Sequence, residues 1–116
     1  MPGFNEFIPL PVAAFHILVA LAEGSRHGYA IMKDVAAATD GEVKLNPGTL
    51  YTTIKRLLED GLIRETDAPA RSSSTDERRR YYAITPLGRR VARAELMRLR
   101  GLIDHAAAKL CDAREG

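Results

Sequence analysis

Between Asn46 and Leu58 runs the stretch Asn-Pro-Gly-Thr-Leu-Tyr-Thr-Thr-Ile-Lys-Arg-Leu-Leu, which constrains this chain more than any other part of it. Asn46 is a helix N-cap residue, and Pro47 suits the first helical turn, where no amide donor is missed. Behind them Leu50, Ile54, Leu57 and Leu58 follow the i, i+4, i+7, i+8 spacing of a buried stripe. Thr49, Thr52, Thr53 and Arg56 form the opposite stripe, flanked by Tyr51 and Lys55, with no acid before Glu59. Short hydroxyls and cations on an exposed helix face suit phosphates and base edges. An ordinary surface helix carries a similar pattern, so the neighbouring segments decide the reading.

The chain has 116 residues, enough for one modest core. A net charge of +2 excludes nothing, but its distribution is uneven: residues 1–70 hold six basic and nine acidic side chains, residues 71–100 nine basic and three acidic. Positive charge is therefore gathered where a nucleic acid could meet it. The single cysteine, Cys111, excludes an internal disulfide and a cysteine-cluster metal site. His16, His27 and His105 show no ligand spacing, so no metal and no cofactor are expected. The amino terminus lacks a basic-then-apolar signal, and the longest apolar run, Ala13 to Ala22, is broken by His16 and too short to span a bilayer. The expectation is a soluble, cytoplasmic protein with no membrane partner.

Val12, Phe15, Leu18, Val19 and Leu21 predict a first helix between Pro11 and Ala22, stopped near Gly24. Ile31, Met32 and Val35 give the inner face of a second helix, from about His27 to Ala38. Val43 and Leu45 read as a very short extended piece. After Gly61 the period changes to that of strands, at 62–66 and 80–85, joined by a polar segment, Asp67 to Glu77, with almost nothing to bury. That is a β-hairpin with a long tip. Thr85 and Pro86 then open a last helix by the same cap-then-proline logic. Three helices, a hairpin and one long helix form a mainly α, α+β arrangement: a winged helix-turn-helix over 1–85, with a carboxy-terminal dimerisation helix over 86–116. In such a domain the third helix enters the major groove and the hairpin reaches the backbone or an adjacent groove.

An ordered series of residues resembles a known family. His27-Gly28-Tyr29, Lys33, Pro47 to Tyr51, Leu57, Gly61-Leu62-Ile63, Arg79 to Tyr82, Thr85 and Gly88 are similar to the PadR family of transcriptional regulators, over about Phe15 to Leu99. The single helix after Gly88 resembles the smaller PadR subtype. The resemblance implies a homodimeric repressor, joined through its last helices, that leaves its operator when a small molecule binds. Some small-subtype members stack flat drugs on a tryptophan of that helix; this sequence has none, and Leu99 takes the matching position.

The expected DNA-contacting residues are Tyr29 and Lys33 on the second helix, Asn46, Pro47, Gly48, Thr49, Tyr51, Thr52, Thr53, Lys55 and Arg56 on the third, and Arg78, Arg79 and Arg80 on the hairpin. Lys55 and Arg56 hold phosphates, the threonines reach phosphates or bases, and at most two of the three arginines share a strand face. His27 caps or supports a turn. Of Tyr81 and Tyr82, one is expected inward and the other outward. Ala92, Leu96, Leu99, Ile103, Ala106 and Leu110 repeat by four and three, a coiled-coil seam for a second copy. A twofold dimer would face a near-palindromic duplex with half-sites one turn apart. A cavity for a small effector is expected around Phe15, Leu96, Met97 and Leu99. A winged helix that binds protein and a MarR-like regulator are the rival readings; no catalytic constellation suggests an enzyme.

Overall fold

A computed structural model of the chain describes residues 4–69 and 79–111. The expected hairpin tip, with Arg78, lies mostly outside the described residues. A 3-10 turn at Phe4–Phe7 leads into α1 (Val12–Ala20); β1 (Arg26–His27), α2 (Gly28–Ala38), α3 (Pro47–Glu59), β2 (Ile63–Thr66), β3 (Tyr81–Ile84) and α4 (Pro86–Leu110) follow. The winged-helix architecture is the expected one. Among the described residues, no helix is long and apolar enough to cross a membrane.

Both cap-then-proline signals operate through their own side chains. The Asn46 carboxamide oxygen accepts from the Thr49 amide at 2.8 Å, and the Thr85 hydroxyl accepts from the Gly88 amide at 3.0 Å. Each satisfies an amide that its helix leaves unbonded. Leu50, Ile54 and Leu57 are buried, and Leu58 packs beside them at the edge of the core.

Three details depart from expectation. The extended piece at Val43 and Leu45 is not a strand; both side chains pack at the rim of the core. The third strand is instead Arg26–His27, which pairs antiparallel with β3, giving the order β1-β3-β2. Tyr81 and Tyr82 do not split between core and solvent: both are buried, on opposite faces of β3. Tyr82 joins the helical core, where burial pushes its phenol above the usual value, while Tyr81 lies edge-on to the His27 ring at 5.3 Å. The third departure is α1. Its buried face is Ala14, Ile17 and Leu18, continued by Leu21, whereas Val12 and Val19 are 68 % and 50 % exposed. A helix apolar on nearly all sides does not reveal from spacing which side faces inward.

The junction from sheet to α4 is tight. Thr85 donates its hydroxyl proton to the Gly61 carbonyl at 2.7 Å, its amide donates to the Leu62 carbonyl at 3.1 Å, and Gly88 packs directly on that same carbonyl. Further along α4, Glu95 is only 2 % exposed. Arg98 grips both of its oxygens at 2.8 Å. The Arg98 hydrogen bonds hold Glu95 below the usual carboxylate range. A depressed folded-state pKa adds stability above the unfolded value and loses it as pH falls through the folded one. The stability difference between wild type and Glu95→Gln, measured by urea unfolding, should therefore shrink as pH drops below the ordinary carboxylate value of 4.5.

Candidate nucleic-acid interface

The outward face of α3 carries Gly48, Thr49, Thr52, Lys55 and Arg56, all exposed. At its amino end Pro47 has no amide to offer, Asn46 takes that of Thr49 and Leu50 bonds the Asn46 carbonyl, which leaves the Gly48 amide without an intrahelical partner, as a phosphate site requires. Arg56 reaches back to Asp60 at 3.4 Å, but its side chain is 77 % exposed, so this i,i+4 pair holds it only weakly. Thr53 differs from the other two threonines. It is half-buried, and its hydroxyl donates to the Thr49 carbonyl at 2.7 Å, leaving only acceptor capacity for a partner. Thr49 and Thr52 keep exposed side chains.

On α2, Tyr29 is half exposed, with the Lys33 ammonium 5.4 Å and the Arg79 guanidinium 5.5 Å from its ring centre. Cation–π contact at such distances positions both charges without neutralising them. Arg79 also lies 3.1 Å from Nε2 of His27, and His27 caps α2 by accepting the Ala30 amide on Nδ1. One ring system thus ties the base of the wing to the start of α2. Arg80 instead leans toward Glu65 on the neighbouring strand, at 3.7 Å with 80 % of its side chain exposed.

Tyr51 connects this cluster to α3. Half exposed, it lies against the first residue of α2, where a β-carbon on Gly28 would sit 2.6 Å from the phenol oxygen. Nothing in the spacing of the sequence assigns Gly28 that role. Gly28→Ala should swing the Tyr51 ring outward rather than break the core. Thermal unfolding should shift by no more than about 1 kcal/mol, while duplex affinity in a fluorescence anisotropy titration should fall by roughly tenfold, or 1.4 kcal/mol.

The expected dimer seam is mostly open. Leu96, Ile103 and Leu110 are 43 %, 63 % and 70 % exposed, Ala92 and Leu99 are half-buried, and Ala106 is intermediate. The cavity beside it is only partly the expected one. About 370 Å³ opens between α1 and α4, lined by Phe15 and Leu96 as anticipated, but not by Met97 or Leu99. Met97 turns away and is 61 % exposed. Val19, Ala22, Arg89 and Arg93 take their place, and Arg89 also donates to the Ala22 carbonyl at 2.7 Å.

Comparison with known proteins agrees with this architecture. Residues 17–94 match the transcriptional regulator PadR-like family. A transcriptional regulator from Clostridium thermocellum is similar at 28 % identity with a TM-score of 0.70, over 84 % of this chain and 88 % of that one. A PadR family transcription regulator from Clostridium difficile is 25 % identical with the same TM-score, over 87 % and 99 %. Bacillus subtilis PadR, solved in complex with operator DNA, shares the fold at 20 % identity and a TM-score of 0.62, over 74 % and 47 %. A 37.1 kDa protein in transposon TN4556 of Streptomyces fradiae is 32 % identical over 94 residues; this chain covers 78 % of itself and 25 % of that longer protein in the match. The family's members are transcriptional regulators rather than enzymes, and with its winged helix and a match across most of its length this chain belongs to the PadR-like family.

Proposed function

We propose that the chain is a homodimeric, sequence-specific DNA-binding repressor that releases its operator in response to a small molecule. The observation that carries the reading is the continuous exposed surface of Thr49, Thr52, Lys55 and Arg56 on α3 beside the Tyr29–Lys33–Arg79 cluster. It offers hydroxyls for base edges and cations for phosphates on adjoining elements. The operator complex of Bacillus subtilis PadR supports carrying this geometry over. In this reading Asn46, Pro47 and Gly48 present the α3 amino end, Tyr51 and Arg80 flank it, and residues 1–85 and 86–116 serve as DNA-binding and dimerisation parts of a cytoplasmic protein.

Exposed leucine and isoleucine at seam spacing on α4, with Val12 and Val19 exposed on α1, support a second copy as the partner. Replacing both Leu96 and Ile103 with glutamate should convert a dimer to a monomer in sedimentation velocity while leaving the helical signal intact. The apolar cavity between α1 and α4 is the place for the effector. Selection from a random duplex library, followed by titration at several salt concentrations, tests the whole reading. A near-palindrome with a steep salt dependence supports it; enrichment of no sequence sinks it and favours a protein-binding winged helix.

A further inference from the structure

Every side chain lining the cavity between α1 and α4 is hydrocarbon except Arg89 and Arg93, and its α1 wall is Phe15, Leu18, Val19 and Ala22. The lining therefore holds no carboxylate, hydroxyl or amide side chain. Both arginines are exposed, and they stand four residues apart on one face of α4. Arg26 is matched by Asp34 and Arg98 by Glu95, but among the described residues neither Arg89 nor Arg93 meets a carboxylate. Arg89 gives one N–H to the Ala22 carbonyl and keeps the rest of its fork. A planar guanidinium fits a carboxylate and sheds its water more readily than an ammonium does.

The same lining disfavours other ligand classes. A cation would meet two like charges and no acceptor side chain. A second polar group, such as a hydroxyl at the far end of the ligand, would be covered with no side chain to bond. We propose that this cavity binds a single-headed apolar acid: one carboxylate held by Arg89 and Arg93, and a hydrocarbon body with no other polar group laid along α1. The proposal gives a chemistry to the effector placed there above, and rests on that reading only for what binding does to the operator. At roughly 30 Å³ for a group the size of a water molecule, 370 Å³ takes about twelve non-hydrogen atoms, the size of decanoate.

The test is isothermal titration calorimetry on the full chain with decanoate below its micelle-forming concentration. Three compounds each change one feature: decanol removes the charge, decylamine reverses it, and ω-hydroxydecanoate adds a far hydroxyl. Decanoate should bind at least about tenfold more tightly than each of them. Arg89→Gln with Arg93→Gln removes the charge and keeps a donor for the Ala22 carbonyl, so decanoate should then bind no better than decanol. Should that variant fail to fold, Arg93→Gln alone decides, because Arg93 makes no hydrogen bond or ion pair among the described residues. Decanoate should lose at least about threefold in it while decanol is unchanged. Equal affinity of the wild type for decanoate and any of the three compounds overturns the proposal, as does no binding of decanoate because a second copy fills the space. Decanoate that binds without releasing the selected operator overturns the effector reading and leaves this site standing.

Discussion

Gly88→Ala will destabilise the protein by about 3 kcal/mol or more, at the upper end of what overpacking produces. The added methyl would overlap the Leu62 carbonyl oxygen and press on Ile84, and neither neighbour is a free side-chain tip. That carbonyl already accepts the Thr85 amide, so it cannot turn aside without breaking the corner that joins the sheet to α4. A midpoint lower by at least 10 °C in a thermal melt is expected, taking roughly 4 °C per kcal/mol for a domain of this size. Gly101→Ala is the matched control. Nothing lies within reach of a β-carbon there and the residue is exposed in mid-helix, so alanine should stabilise by about 0.5–1 kcal/mol. If the two substitutions behave alike, the packing at the β3–α4 corner is not what the structure describes.

Lys55→Glu will weaken binding to the selected operator by roughly 100-fold, about 2.7 kcal/mol. The substitution removes a phosphate partner and puts a negative charge against the duplex, on a helix face with no acid before Glu59. The side chain is exposed and has no part in the core, so unfolding by urea should shift by less than about 0.5 kcal/mol. Because one phosphate contact is lost from each protomer of the dimer, the slope of log affinity against log salt should become shallower by about two. Full affinity in this variant would remove α3 from the interface and leave the wing and α2 as the only contacts.

The sequence made some parts of this architecture legible and hid others for a consistent reason. Asn46 bonds an amide three residues on, and so does Thr85; such caps depend on neighbours in the chain, and both helix starts were found. The inner faces of α2 and α3 were legible because their other faces are polar. The strand Arg26–His27 was missed because it is two residues long and its partner, Tyr81–Tyr82, is more than fifty residues away. Strand alternation puts Tyr81 and Tyr82 on opposite faces but does not say what covers each: Tyr82 joins the core and Tyr81 packs against the His27 ring. Met97 and Leu99 were sensible choices for a cavity on composition, but only the crossing of α1 over α4 selects Arg89 and Arg93 instead.

By itself, then, the sequence determined what local physics can write: where the helices start, the buried stripe and polar face of α3, the hairpin that follows it, and the family. The tertiary structure alone decided which side of α1 is buried, why Gly28 and Gly88 carry no side chain, and that Glu95 is buried. Those depend on close approach between backbones and side chains distant in sequence. Periodicity records the direction a residue faces on its own helix or strand; it holds no information about what comes to meet it.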